Sequence, residues 1–128
     1  MTDAGDLASV KDADRLIAII GDEDTVTGFL LTGIGDRTRP TDPTYLVVRR
    51  DTSDATIAEA FEHFTRQRKD VGMVLITQNI ANRIRSNIEG YTGRVPAVIE
   101  IPSKDQVYDP RQDTLMQRVQ RLLGIRDK

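Results

Sequence analysis

Four short runs of β-branched and aliphatic residues recur along the chain, each followed by a longer stretch of helical periodicity. The runs are LIAII (residues 16–20), YLVV (45–48), MVLIT (73–77) and AVIEI (97–101). After the first come Val26, Phe29, Leu30 and Ile34, spaced by three and four. After the second, behind the capping-type residues Thr52, Ser53 and Asp54, come Ile57, Ala60, Phe61 and Phe64. The third is followed by Ile80, Ile84, Ile88 and Tyr91, and the fourth by Leu115, Met116, Val119, Leu122 and Leu123, ending at Gly124. Short continuous apolar runs rich in β-branched residues, each followed by a stretch with a period near 3.6, predict alternating strands and helices. With short connections, that alternation forces a parallel sheet built from right-handed crossovers.

The strands also suggest their own order. LIAII and MVLI are apolar on both faces, as central parallel strands must be. YLVVRR runs into charge and AVIEI carries Glu100 in its middle, which suits edges. The expected sheet is therefore 2-1-3-4, a truncated flavodoxin-like or receiver-like α/β fold flanked by helices, with a C-terminal helical segment. In that order the first crossover runs one way and the next two run the other. Equal handedness then puts the second and third helices on one face and leaves the first helix alone on the other. The lone-helix face is half covered: either the fourth helix folds back over it, or another protein does.

A chain of 128 residues suits one domain. Residues 14–102 are expected to form the α/β domain, behind a flexible N-terminus at 1–13. Residues 103–110 are expected to act as a hinge leading to a C-terminal helix and tail at 111–128. GDRTRPTDP, residues 35–43, has two prolines and no apolar side chain, and is expected to be a long surface loop. There is no cysteine, which excludes disulfides and thiolate metal sites or catalysis. Eighteen Lys and Arg against twenty Asp and Glu give a formal charge of -2, no general reason to bind nucleic acid or an anionic membrane. No apolar run approaches the roughly 20 residues needed to cross a bilayer, and the polar, acidic start is unlike a targeting segment.

The chemical candidates are few. Sheets of this kind bind ligands at the carboxyl ends of their strands. A receiver domain needs an acidic pair after strand 1, a phosphate-accepting Asp at the end of strand 3 and a Lys after strand 4. Asp22, Glu23 and Asp24 offer the first and Lys104 the third. Strand 3 ends instead in Thr77 and Gln78, which cannot form an acyl phosphate and are poor Mg²⁺ ligands. Asp22 and Asp24 are therefore expected to cap the first helix, and no catalytic, cofactor or metal residue is assigned. The alternative is a receiver-like Mg²⁺- and phosphate-binding signalling domain. Gly33-Ile34-Gly35 follows a helix, not a strand, so it is expected to end that helix instead of cradling a dinucleotide. His63, the only histidine, has no serine or acid placed to make a triad, and the basic run at 65–69 has no aromatic platform for nucleic acid.

Four long blocks carry a family likeness. LIAIIGDEDTVTGFLLTGIG, YLVVRRDT, GMVLITQNIA and PAVIEIPSKDQVYD, in this order and spacing, closely resemble the F subunit of the eukaryotic vacuolar-type proton ATPase, over about residues 14–123. The resemblance implies a small α/β domain with no active site of its own, in the central stalk of the ATP-hydrolysing sector. Its implied partner is the coiled-coil D subunit, through which it meets the catalytic hexamer and the membrane sector. The implied location is the cytosolic face of vacuolar and other endomembranes, without insertion into the bilayer. The resemblance further implies a C-terminal segment, carried here by residues 111–123, that packs along the D subunit. The stripe Leu115, Met116, Val119, Leu122 and Leu123 is the expected interface. A core-facing helix would give the same pattern.

Overall fold

The computed structural model describes residues 15–34, 43–105 and 107–124. The expected N-terminal extension (1–13) and nearly all of the 35–43 loop lie outside the described residues. Strands β1 (Leu16–Gly21), β2 (Tyr45–Val47), β3 (Val71–Thr77) and β4 (Ala97–Ile101) form one parallel sheet in the order β2-β1-β3-β4. The central strands alternate between two buried faces: Ala18, Ile20, Val74 and Ile76 point one way, Ile19 and Leu75 the other. Residues apolar on both faces can be satisfied only at the centre of a covered sheet.

Helix α1 (Glu23–Leu31) begins where β1 ends. Asp22 is its N-cap, accepting from the N–H of Asp24 at 3.1 Å and of Thr25 at 3.3 Å. It ends as its sequence predicts, on a glycine. Gly33 takes φ +92°, its N–H donates to Leu30 O, and Ile34 N–H reaches back to Phe29 O, a Schellman closure sealed by Phe29 and Ile34 on the same apolar cluster.

Helix α2 (Asp54–Glu62) is capped by Ser53 and continues into one wider π turn, His63–Gln67. Periodicity alone does not predict that turn. The Thr65 hydroxyl donates to Phe61 O at 2.7 Å, competing for the carbonyl a regular ladder would use, and Arg68 N–H bonds five residues back to His63 O. The third periodic stretch is likewise broken, into α3 (Gln78–Ala81), a 3₁₀ turn (Asn82–Ile84) and α4 (Arg85–Gly90). A further 3₁₀ turn, Pro110–Gln112, leads into α5 (Thr114–Leu122).

The two faces of the sheet are unequally covered. On one, α2, α3 and α4 bury a continuous core centred on Phe61, Ile57, Ile80, Ile84, Ile88 and Tyr91; Phe61 and Tyr91 meet edge to face at 6.2 Å. On the other, α1 packs over β1 and β2, and among the described apolar residues only Ile19, Val26 and Leu75 are buried. That the helical segments after β2 and β3 share one face while the helix after β1 takes the other follows from the strand order. Of the two covers expected for the lone-helix face, the fourth helix is not the one. Helix α5 lies beside α4 and β4 on the other face, where Leu115, Val119 and Leu122 look across a crevice of about 310 Å³ towards Ile88, Tyr91 and Val98. The reason is polar, and it belongs to the site.

Candidate functional site

At the carboxyl ends of the strands, short turns bring distant residues together. The Asp22 carboxylate, besides capping α1, accepts from the Thr25 hydroxyl at 2.6 Å. Lys104, just past β4, reaches over the sheet to Asp24 at 2.9 Å and to Asp22 at 3.4 Å. Burial works against ionisation of Asp22, but the hydroxyl and N–H of Thr25 and the Lys104 ammonium outweigh it and hold the carboxyl below the usual range. Asp24 and Asp22 in turn raise Lys104 above its ordinary value. Two of the three receiver elements are thus assembled. Where the phosphate acceptor would stand is Thr77, fully buried, with its methyl group lying in the space above Gly21. The positive partner of the acids is already a lysine. Among the described residues no group of three or more acidic, histidine or cysteine side chains is placed to hold a metal ion.

The other polar candidates are also drawn into the fold. His63 Nδ1 lies 2.9 Å from Gln67 Oε1 across the π turn. Arg68 of the basic run is buried; its guanidinium forks onto Asp70 at 3.0 and 2.7 Å and donates to Pro43 O. Arg66 pairs with Glu62 and lies over the Tyr91 ring, 6.0 Å from its centroid.

A denser cluster surrounds Glu100. The middle of β4 reads in sequence as an edge, and β4 is one, yet this carboxylate points inward, with 1% of its side chain exposed. Arg85 of α4 donates to it at 2.5 and 3.2 Å, Gln78 at 3.3 Å, and the Thr114 N–H, at the start of α5, at 3.3 Å. Arg85 also donates to the Thr114 hydroxyl at 3.1 Å. The Gln78 amide pairs with the backbone of Asp109 on both sides, accepting from its N–H and donating to its carbonyl, each at 2.7 Å, as a neighbouring strand would. Asp113 caps α5 through the N–H groups of Leu115 and Met116 and accepts from the Tyr108 hydroxyl. Burial and the carboxylates of Asp113, Glu100 and Asp109 push the Tyr108 phenol well above its ordinary value, so it stays a donor.

This cluster fixes one end of α5 only. Past the first turn Arg118 still reaches Glu89 O at 3.1 Å, and the exposure of the apolar stripe rises towards the end of the helix. Of the predicted stripe, Met116 is half-buried, Leu115 and Val119 are 36% exposed, and Leu122 and Leu123 are 86% and 68% exposed. Sequence reasoning singled out that stripe but missed Gln78, Arg85 and Glu100 as its anchor. The one signal was a charged residue inside an apolar strand.

The four-stranded parallel α/β fold agrees with what the sequence matches. Residues 17–119 match the family described as ATP synthase (F/14-kDa) subunit. The chain belongs to that family. Among its relatives are proteins named as the F subunit of the V-type proton ATPase. That of Neurospora crassa is 52% identical over 112 residues, covering 86% of this chain and 90% of the relative. That of Saccharomyces cerevisiae is 45% identical over 111 residues (85% and 94%), and that of Homo sapiens 43% over 113 residues (88% and 94%). The family resemblance read from the four sequence blocks holds across nearly the whole length of the relatives. Among the described residues no helix is long and apolar enough to cross a membrane.

Proposed function

We propose that this chain is a non-catalytic subunit of the soluble sector of a V-type proton ATPase. In this reading it sits in the central-stalk rotor, binds the coiled-coil D subunit and helps couple ATP hydrolysis to proton translocation. It works at the cytosolic face of vacuolar and other endomembranes, attached through its partners. The family match supports membership of the complex. The observation that carries the contact with the D subunit is α5: a helix anchored at its first turn, with Leu122 and Leu123 left in solvent. An isolated helix of nine residues is marginal in water, so a stripe this apolar and this little buried is best explained by a partner helix. Residues 103–110 act as the hinge that sets the angle of α5.

The test is binding of the purified chain to the purified D subunit from the same organism, by calorimetry. Because both leucines are exposed, Leu122→Asp with Leu123→Asp leaves the fold intact by circular dichroism. It should weaken binding by about 2–4 kcal/mol, the range for apolar anchors at an interface. Unchanged affinity would remove α5 from the interface.

A further inference from the structure

The crevice beside α5 has two apolar walls and a cationic mouth. From it we infer a socket: one large apolar side chain of a partner helix enters between α5 and its own domain, and a carboxylate about one helical turn away meets Arg94 and Arg118. This rests on the reading that α5 meets the D subunit, and adds what that partner must carry there. Leu115, Val119 and Leu122 form one wall and Ile88, Tyr91 and Val98 the other, with about 310 Å³ between them. Polar contacts set the spacing. The Thr114 N–H holds the first turn of α5 to Glu100, and one turn further on Arg118 donates to Glu89 O at 3.1 Å. The facing wall is fixed as well: Tyr91 is buried, packs edge to face on Phe61 and donates its hydroxyl to Pro96 O at 2.6 Å. Neither wall moves in to fill the space without breaking these bonds. Exposure rises from 36% at Leu115 and Val119 to 86% at Leu122, so the crevice opens towards the end of the helix.

The charges at the mouth select the occupant. Arg94 and Arg118 line the crevice, and Arg94 is exposed and has no hydrogen bond or ion pair among the described residues. Glu100 is the one acid among the described lining residues, and it is taken up by Arg85, Gln78 and the Thr114 N–H. From Thr114 to Gly124 the chain carries Arg118 and Arg121 and no acidic side chain. A guanidinium at the edge of an apolar crevice favours a carboxylate, which it binds through two N–H groups at once. The same charges disfavour a second copy of this chain, whose own α5 would bring arginines to arginines. A helix presents an apolar and an acidic side chain from one face when they lie three or four residues apart. An anchor in a pocket ringed by polar pairs is the arrangement that carries most of the energy at protein interfaces.

Docking on the outside of the stripe and entry into the socket respond differently to Val119→Trp, which enlarges the apolar stripe but fills the crevice from within. In the full-length chain it should weaken binding to the purified D subunit about tenfold or more, the loss expected when a pocket anchor is shut out. Unchanged or tighter binding would overturn the socket. Arg94→Glu, at an exposed position, should slow association about tenfold at low salt and flatten its dependence on ionic strength. A lysine in place of one carboxylate of the D subunit should restore the rate. An association rate indifferent to Arg94→Glu would overturn the acidic occupant. Because the chain has no cysteine, Val119→Cys reports on the crevice alone. It should react readily with a maleimide in the free chain and about tenfold more slowly in the complex. Slow reaction in the free chain would show that the chain's own terminal residues fill the crevice, and would overturn the socket too. If the Val119 and Arg94 variants bind as the native chain does while Leu122→Asp with Leu123→Asp does not, the socket falls and the α5 reading stands. If that double variant also binds normally, both fall together.

Discussion

Asp22 shows how much one side chain can be asked to do. It ends β1, caps α1, takes the Thr25 hydroxyl and shares Lys104 with Asp24. Asp22→Ala should cost about 1 kcal/mol, the usual value of an N-cap, read from urea unfolding at neutral pH. Its pH dependence has a definite sign. The folded carboxyl titrates below its ordinary 3.8, so its contribution is present above that value and is lost as pH falls through the folded pKa. Lys104 runs the other way: its folded pKa lies above 10.5, so its contribution is present below that and lost as pH rises through the folded value. Asp22→Asn should keep the cap yet flatten the acid limb of stability below about pH 4. A limb as steep as that of the native chain would show that other carboxylates set it. Thr77 carries the complementary expectation. With a threonine at the acceptor position, incubation with acetyl phosphate and Mg²⁺ should leave the mass of the chain unchanged, and an acid-labile phosphoryl adduct would revive the receiver reading.

Element by element, what was legible in the sequence was what local chemistry dictates. The four strands, their order and the Gly33 stop follow from side-chain branching, two-faced apolarity and the freedom of glycine to take positive φ. The breaks in the second and third helices were not legible. They depend on bonds such as Thr65 to Phe61 O and on arginines drawn in different directions, Arg83 to Asp54 and Arg85 to Glu100. Nor does periodicity say which face α5 takes. That is decided by Glu100 and Gln78, polar residues whose partners lie between 14 and 31 positions away. Glu100→Ala removes the buried carboxylate that Arg85, Gln78 and the Thr114 N–H share. It should cost about 3 kcal/mol, the lower end of the range for breaking a buried pair, since Arg85 keeps some contact with water. Hydrogen exchange should then rise selectively at Thr114–Leu122 while β1 and β3 stay protected. Uniform loss of protection would mean that α5 is an integral part of the core. By contrast, Phe61→Ala should destabilise the whole domain by about 3–5 kcal/mol without favouring α5.

At the scale of the whole molecule, the described residues form a sheet with one deeply buried face and one less deeply buried face, and a last helix fastened chiefly at its first turn. Sheets of this kind bind ligands at the carboxyl ends of their strands. Here those ends hold a lysine bridged to two acids beside a threonine, and the apolar surface left in solvent is of the kind that proteins cover with one another. The central claim, a rotor subunit of a V-type proton ATPase, is tested most directly by expressing the tagged full-length chain in its own cells. Its complexes would be isolated from gentle extracts and their components identified by mass spectrometry. The account predicts stoichiometric recovery of a coiled-coil subunit together with the ATP-hydrolysing hexamer, reduced when the chain is cut after Ser103. Recovery of the chain alone, or of a histidine kinase in place of the hexamer, would contradict it.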